Sequence, residues 1–112
     1  ALTQEPKILL LDEPTLHLDI NHQLEVLELV KKLTKKNKLI VVLVSHDLNL
    51  ANRYCDRLML LNSGKIYSSG EPQDVVTRDN IKEVYNIDVE INYNKKTKSL
   101  NIVPVSAIDN KL

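Results

Sequence analysis

Ile8-Leu9-Leu10-Leu11 is followed at once by Asp12-Glu13-Pro14-Thr15, and this junction constrains the fold more than any other stretch. Four consecutive aliphatic residues cannot alternate between core and solvent. The run therefore suits a strand covered on both faces, as in a parallel sheet flanked by helices. Pro14 ends the strand. Two adjacent carboxylates are thereby delivered to its carboxyl end, the place where open α/β sheets collect ligands.

The next segments extend the same architecture. Asp19 is placed to cap a helix over Ile20 to Lys36. Ile20, Leu24, Val26, Leu27, Leu29, Val30 and Leu33 share a broad apolar face, opposite Glu25, Glu28, Lys32, Lys35 and Lys36. Acidic residues early and lysines late complement the helix dipole. Leu39 to Val44 is a second buried strand, so strand, helix and strand form a crossover unit. It ends at Ser45-His46-Asp47, with Ser45 or Asp47 capping a short helix over Leu48 to Tyr54. A third apolar strand, Arg57 to Asn62, meets Ser63-Gly64-Lys65, a turn that folds Ile66 to Ser69 back as a hairpin. Gly70-Glu71-Pro72 opens a helix through Val76, and Asp79 is expected to cap another over Asn80 to Tyr85.

From Ile87 the pattern changes to alternation. Val89, Ile91 and Tyr93 share one face, continued by Leu100, Ile102 and Pro104, with Asn94-Lys95-Lys96-Thr97 as the turn of an antiparallel hairpin. Ala107 to Leu112 reads as a frayed, polar end. No internal repeat or low-complexity segment is present. The chain opens on Ala1 without an initiator methionine, and Ala1 to Pro6 reads as a helix end running into a strand, so a fragment is expected.

Composition narrows the class. The 112 residues, 43% hydrophobic and 27% charged, suit one globular domain with a real core. The 15 basic and 15 acidic residues cancel, so no global field recruits nucleic acid or an anionic membrane. Lys31, Lys32, Lys35, Lys36 and Lys38 lack interleaved aromatics and read as a solvated helix end. The one cysteine, Cys55, excludes an internal disulfide and suits a reducing compartment. Leu39 to Val44, the longest purely apolar run, falls far short of the roughly 20 residues that cross a bilayer, so no direct membrane insertion is expected.

A strand that ends in two carboxylates has a use in nucleotide hydrolysis. The first can hold Mg²⁺ through water and the second can orient the attacking water beside the γ-phosphate, roles that Asp12 and Glu13 fit. His46 follows the next strand, about thirty residues further on, a spacing that returns it to the same edge. There an imidazole can donate a hydrogen bond to a phosphate oxygen as its charge grows. Neither Gly64 nor Gly70 belongs to a glycine-rich loop followed by Lys-Ser or Lys-Thr, so no phosphate cradle is present in these residues.

Leu9 to Thr15, then Leu16-His17-Leu18-Asp19, then Val44-Ser45-His46-Asp47-Leu48, resemble in order and spacing the second half of an ABC transporter ATP-binding subunit. The resemblance implies an α/β fold, the C-terminal portion of a P-loop NTPase domain: a mainly parallel sheet flanked by helices, with a small antiparallel C-terminal hairpin. It makes Asp12 the Walker B aspartate that binds ATP-bound Mg, Glu13 the catalytic glutamate and His46 the switch histidine. Leu16 to Asp19 matches the loop at the dimer interface, with Asp19 at the cofactor site. Ala1 to Lys7 resembles the segment before Walker B, and Asp56-Arg57 through Gly70-Glu71-Pro72 the closing strand and hairpin. Residues 1–77 then represent the C-terminal part of the ATPase core and 78–112 an extension. Asp19 to Gln23, His46 to Ala51 and Asn80 to Val89 are further similar to importers of iron-siderophore, haem and cobalamin chelates.

The family's Walker A, Q-loop and signature motifs have no counterpart in this sequence, and half of the phosphate clamp is therefore missing. The resemblance implies an ATPase that dimerises with a second ABC ATPase subunit, works with transmembrane permease subunits at the cytoplasmic face of a bacterial-type membrane, and binds no nucleic acid. The 112 residues alone are expected to be inactive. Two rival readings are an ABC ATPase acting on ribosomes or DNA, disfavoured by the neutral charge, and a non-enzymatic half-domain interaction module. His17, Asp19 and His22 do not converge well enough for a metal site. Tyr54, Tyr67, Tyr85 and Tyr93 are too scattered for base stacking.

Overall fold

In the computed structural model, which describes residues 7–108, the first aliphatic run is β1 (Lys7–Asp12). Helix α1 (Ile20–Lys36) and strand β2 (Leu39–Val44) follow, and β1 and β2 pair in parallel from Lys7↔Leu39 to Asp12↔Val44. The expected crossover unit is present. Asp19 caps α1 by accepting from His22 N–H at 2.9 Å. Leu27 is the fully packed residue of the helix.

The strands are not covered on both faces. Ile8 is 72% exposed and Leu10 65%, against the expectation of double burial. The reason is the size of the sheet. Each sheet among the described residues has two strands, and only β1–β2 is parallel, so the mainly parallel sheet is corrected to one parallel pair and two antiparallel hairpins. A pair flanked by a single helix leaves aliphatic surface open whatever its composition.

The chain divides into two compact units between Asp47 and Leu48. In the second, α2 (Leu48–Tyr54) is followed by β3 (Leu58–Asn62) and β4 (Lys65–Gly70), which form an antiparallel hairpin. Ser63 and Gly64 at its tip both have positive φ, 52° and 75°, as a primed hairpin turn requires. Two short helices come next, α3 (Pro72–Val75) and α4 (Arg78–Tyr85). The N-cap of α4 is Thr77, whose hydroxyl accepts from Asn80 N–H at 3.1 Å, and not Asp79, which lies inside the first turn. A β-region backbone at Thr77 leaves its oxygen free to reach back over the open amides. Replacing Thr77 with Ala should lower the stability of this unit by about 1 kcal/mol, and Asp79→Ala by no more than a few tenths. Urea unfolding of the two variants checks the assignment.

Helix α4 ends at Asn86, which takes the left-handed conformation common at C-caps, and β5 (Ile87–Asn94) and β6 (Ser99–Ala107) close the unit as a hairpin. Register matches the alternation, with Val89↔Pro104, Ile91↔Ile102 and Tyr93↔Leu100 opposite one another. Asn94 Oδ1 accepts from the amides of Lys96 and Thr97 and shapes the turn. Val89 and Ile102 are buried while Pro104 is exposed. The expected fraying from Ala107 is not seen at its start: the strand includes Ala107, and Ile108 N–H donates to the Asn86 carbonyl at 2.9 Å. Residues 109–112, and the opening Ala1 to Pro6, lie outside the described residues.

Leu58, Leu60, Val75, Val76, Ile81, Val89 and Ile102 form one buried cluster, with Leu48, Ala51 and Cys55 packed against it. Strand β3, the short helices and the hairpin share this core, so α2 to β6 stand or fall together.

Candidate functional site

The site is built at the carboxyl ends of β1 and β2. Parallel pairing aligns Asp12 with Val44, and one residue later Glu13 N–H still donates to the Val44 carbonyl at 2.8 Å. Glu13 then turns the chain sharply. Its φ of 48° lies in the left-handed region, uncommon for a residue with a Cβ and costing on the order of 1 kcal/mol. The polar turns after it are closed by Leu16 N–H to the Glu13 carbonyl at 3.1 Å and Leu18 N–H to the Thr15 carbonyl at 3.2 Å. Thr15 is buried beneath them.

From the other strand, Ser45 Oγ accepts from Asp47 N–H at 3.0 Å, a side-chain turn that carries the backbone out of β2. His46 stands at its apex with its side chain 94% exposed, and its Nε2 lies 3.4 Å from Glu13 Oε1. The glutamate side chain is only 18% exposed. Glu13 Oε1 is enclosed and accepts no hydrogen bond, so the imidazole is near it at ion-pair distance and out of hydrogen-bond alignment. An enclosed carboxylate oxygen without a donor is costly unless something else donates to it.

Glu13 and His46 are thus side by side, although 33 positions apart, and Asp12 precedes Glu13 in the chain. Asp12 is exposed at the strand end. A single hard oxygen donor open to solvent fits Mg²⁺, which keeps several waters and takes few protein ligands. The enclosed Glu13 oxygen fits a water that needs an acceptor. Asp19 is engaged differently: its carboxylate caps α1 and lies 2.8 Å from His22 Nδ1, so its side-chain bonds are with His22.

One residue of the site is not predicted by motif reasoning. The Gln23 amide donates to the carbonyls of Leu18, at 3.1 Å, and Thr15, at 3.4 Å, and so ties the loop after Glu13 to α1. Its position in the first turns of a capped helix, behind a polar loop, is the only signal of this in the sequence.

A parallel β–α–β unit that presents two carboxylates after one strand and a histidine after the next has the architecture of an α/β nucleoside triphosphatase. No family model matches the chain. Similar proteins do. An uncharacterized ABC transporter ATP-binding protein of Methanocaldococcus jannaschii is 47% identical over 91 residues, 81% of this chain and 35% of the relative. The petrobactin import ATP-binding protein FpuC of Bacillus anthracis is 44% identical over 91 residues, 81% of this chain and 34% of the relative. The cobalamin import ATP-binding protein BtuD of Halobacterium salinarum is 39% identical over 105 residues, 94% of this chain and 26% of the relative. Among solved structures, an inward-facing metal-chelate type ABC transporter aligns with a TM-score of 0.74 at 27% identity, covering 88% of this chain and 39% of that one. The chain is a relative of the ATP-binding subunits of ABC transporters. It spans about a quarter to a third of the length of the curated relatives it matches.

Proposed function

We propose that this chain forms the metal-and-water half of an ATP site in the ATP-binding subunit of an ABC importer for iron chelates or related metal chelates. The observation that carries the reading is the approach of His46 Nε2 to the enclosed Glu13 Oε1, 3.4 Å, at the edge where β1 also leaves Asp12. In this reading Glu13 accepts a hydrogen bond from the attacking water, orients it and takes its proton as the water oxygen bonds to the γ-phosphorus and the bond from that phosphorus to the bridging oxygen breaks, releasing ADP. His46 donates to an oxygen of the transferred phosphoryl group. Mg²⁺, held by Asp12 through water, supplies charge neutralisation on the phosphates when bound. Asp19 and the loop from Leu16 are assigned to the side of the site that meets a second ATP-binding subunit.

Residues 1–77 represent the C-terminal part of the ATPase core and 78–112 an extension to it. The whole assembly is assigned permease subunits and a place at the cytoplasmic face of the membrane. Among the described residues no helix is long and apolar enough to cross a bilayer. Relatives named for petrobactin and cobalamin import support the metal-chelate class. Since these 112 residues contain no glycine-rich phosphate loop, they are assigned no hydrolytic activity alone.

The test replaces the matching segment of FpuC with this chain. The chimera should hydrolyse MgATP and support petrobactin uptake, while the 112-residue chain alone should show no turnover above background. In the chimera His46→Ala should lower kcat by about 10²-fold with little change in ATP affinity, the cost of losing one preorganised donor to a developing charge. A folded chimera that binds MgATP without hydrolysing it refutes the reading.

A further inference from the structure

We propose that Gln23 is a positioning residue: its amide holds the loop after Glu13 against the start of α1 and so fixes the left-handed turn that presents the Glu13 carboxylate. The proposal rests on the catalytic reading of Glu13. From one nitrogen, Nε2, Gln23 donates to the Leu18 carbonyl at 3.1 Å and to the Thr15 carbonyl at 3.4 Å. An amide NH₂ has the two hydrogens this requires. The Thr15 carbonyl also accepts from Leu18 N–H, which closes the second of two linked turns, and Leu16 N–H to the Glu13 carbonyl closes the first. Glu13 therefore opens a pair of turns whose far end is pinned by Gln23.

The turn bonds by themselves do not explain why the loop keeps this shape. Its backbone enters the left-handed region twice, at Glu13 with φ 48° and at His17 with φ 68°. His17 holds the third position of the turn from Thr15 to Leu18, where a type II turn needs a positive φ and favours glycine. Neither residue is glycine, and such conformations persist only where the surroundings over-determine them. On the strand side the restraint is Glu13 N–H bonded to the Val44 carbonyl. On the loop side it is the burial of Thr15, 5% exposed, together with the Gln23 amide. Gln23 is itself anchored, because its N–H donates to the carbonyl of the Asp19 cap at 2.9 Å. All of these contacts lie within the first compact unit. Without the amide the turns relax toward negative φ, and a change of φ at Glu13 swings its side chain out of the enclosed space beside His46.

Two variants of the 112-residue chain test this by NMR. Gln23→Met keeps the length of the side chain without a donor. Gln23→Glu sets an acceptor against two carbonyls, while its charge near the start of α1 suits the helix dipole. In both, backbone order parameters for Glu13 and for Thr15 to Leu18 should fall from about 0.85 toward about 0.6, the change from rigid to flexible, while Leu27 and Val41 keep their native shifts. Either variant suffices if the other does not fold. In the FpuC chimera each should lower kcat by about tenfold at unchanged KM for MgATP, as expected when about one hydrogen bond of alignment is lost. A residue that only steadied α1 would act independently of the carboxylate. In the Glu13→Gln background, by contrast, Gln23→Met should lower the single-turnover rate by less than about twofold. Unchanged order parameters in the loop, or equal losses in the two backgrounds, overturn the proposal. A parent chimera that does not hydrolyse ATP, or whose kcat survives Glu13→Gln, refutes the catalytic reading instead, and the order parameters still decide whether Gln23 holds this turn.

Discussion

Replacing Glu13 with Gln in the hydrolysing chimera should lower kcat by about 10²- to 10⁴-fold, the usual contribution of a positioned general base, while MgATP affinity stays within about threefold. Gln has the size of Glu and keeps one acceptor oxygen, so the enclosed space beside His46 remains filled. What it lacks is a group that takes a proton. Neutralising the carboxylate also removes a negative charge from the neighbourhood of the phosphates, so binding should not weaken. A fall in kcat of less than about tenfold would reduce Glu13 to a turn residue.

The backbone at this position separates chemistry from strain. Because Glu13 has φ of 48°, Glu13→Gly should relieve up to about 1 kcal/mol of backbone cost while abolishing hydrolysis. If Gly and Gln variants lose activity alike and only the Gly variant gains stability, the carboxylate is the catalytic element and the left-handed turn is the cost of presenting it. Urea midpoints and single-turnover rates on the same two variants give both readouts.

Ile81→Ala should produce the largest stability loss in the molecule, about 2–5 kcal/mol, because Ile81 is wholly buried at the centre of the cluster that joins β3, α3, α4 and the hairpin. Removing three carbons there forfeits their transfer free energy and leaves a cavity that neighbours such as Val75 and Val89, also fully buried, cannot collapse into without moving their own backbones. The readout is direct. The chain has no tryptophan, and Tyr54, Tyr67, Tyr85 and Tyr93 all follow Leu48, so tyrosine fluorescence reports the second unit alone. Ile20→Ala, at a residue 75% exposed on α1, should leave that transition where it is. A shift for Ile81→Ala of under about 1 kcal/mol would mean that this core is loosely packed.

Much of the candidate site was legible because strands advertise their ends. An aliphatic run closed by Asp12-Glu13-Pro14 and another closed by Ser45-His46-Asp47, with a helix between, imply two parallel strands whose ends lie together, and the register Asp12↔Val44 has that form. Gln23 was not legible as a site-supporting residue. An amide on a helix surface has the same local pattern whether it meets solvent or a loop carbonyl.

The same division runs through the fold. Local periodicity and turn chemistry determined α1, both hairpins and the cap at Asp19, because those preferences are settled within a few residues by sterics and by hydrogen bonds the chain makes to itself. Tertiary structure alone decided the rest: that Ile8 and Leu10 stay open on a two-stranded sheet, and that Glu13 Oε1 is enclosed 3.4 Å from His46. Burial and proximity are properties of what other parts of the chain supply. The aliphatic strand before Asp12 specifies its own conformation and where its carboxylates emerge; what surrounds Glu13 is decided by a second strand, and by the register in which the two happen to be held.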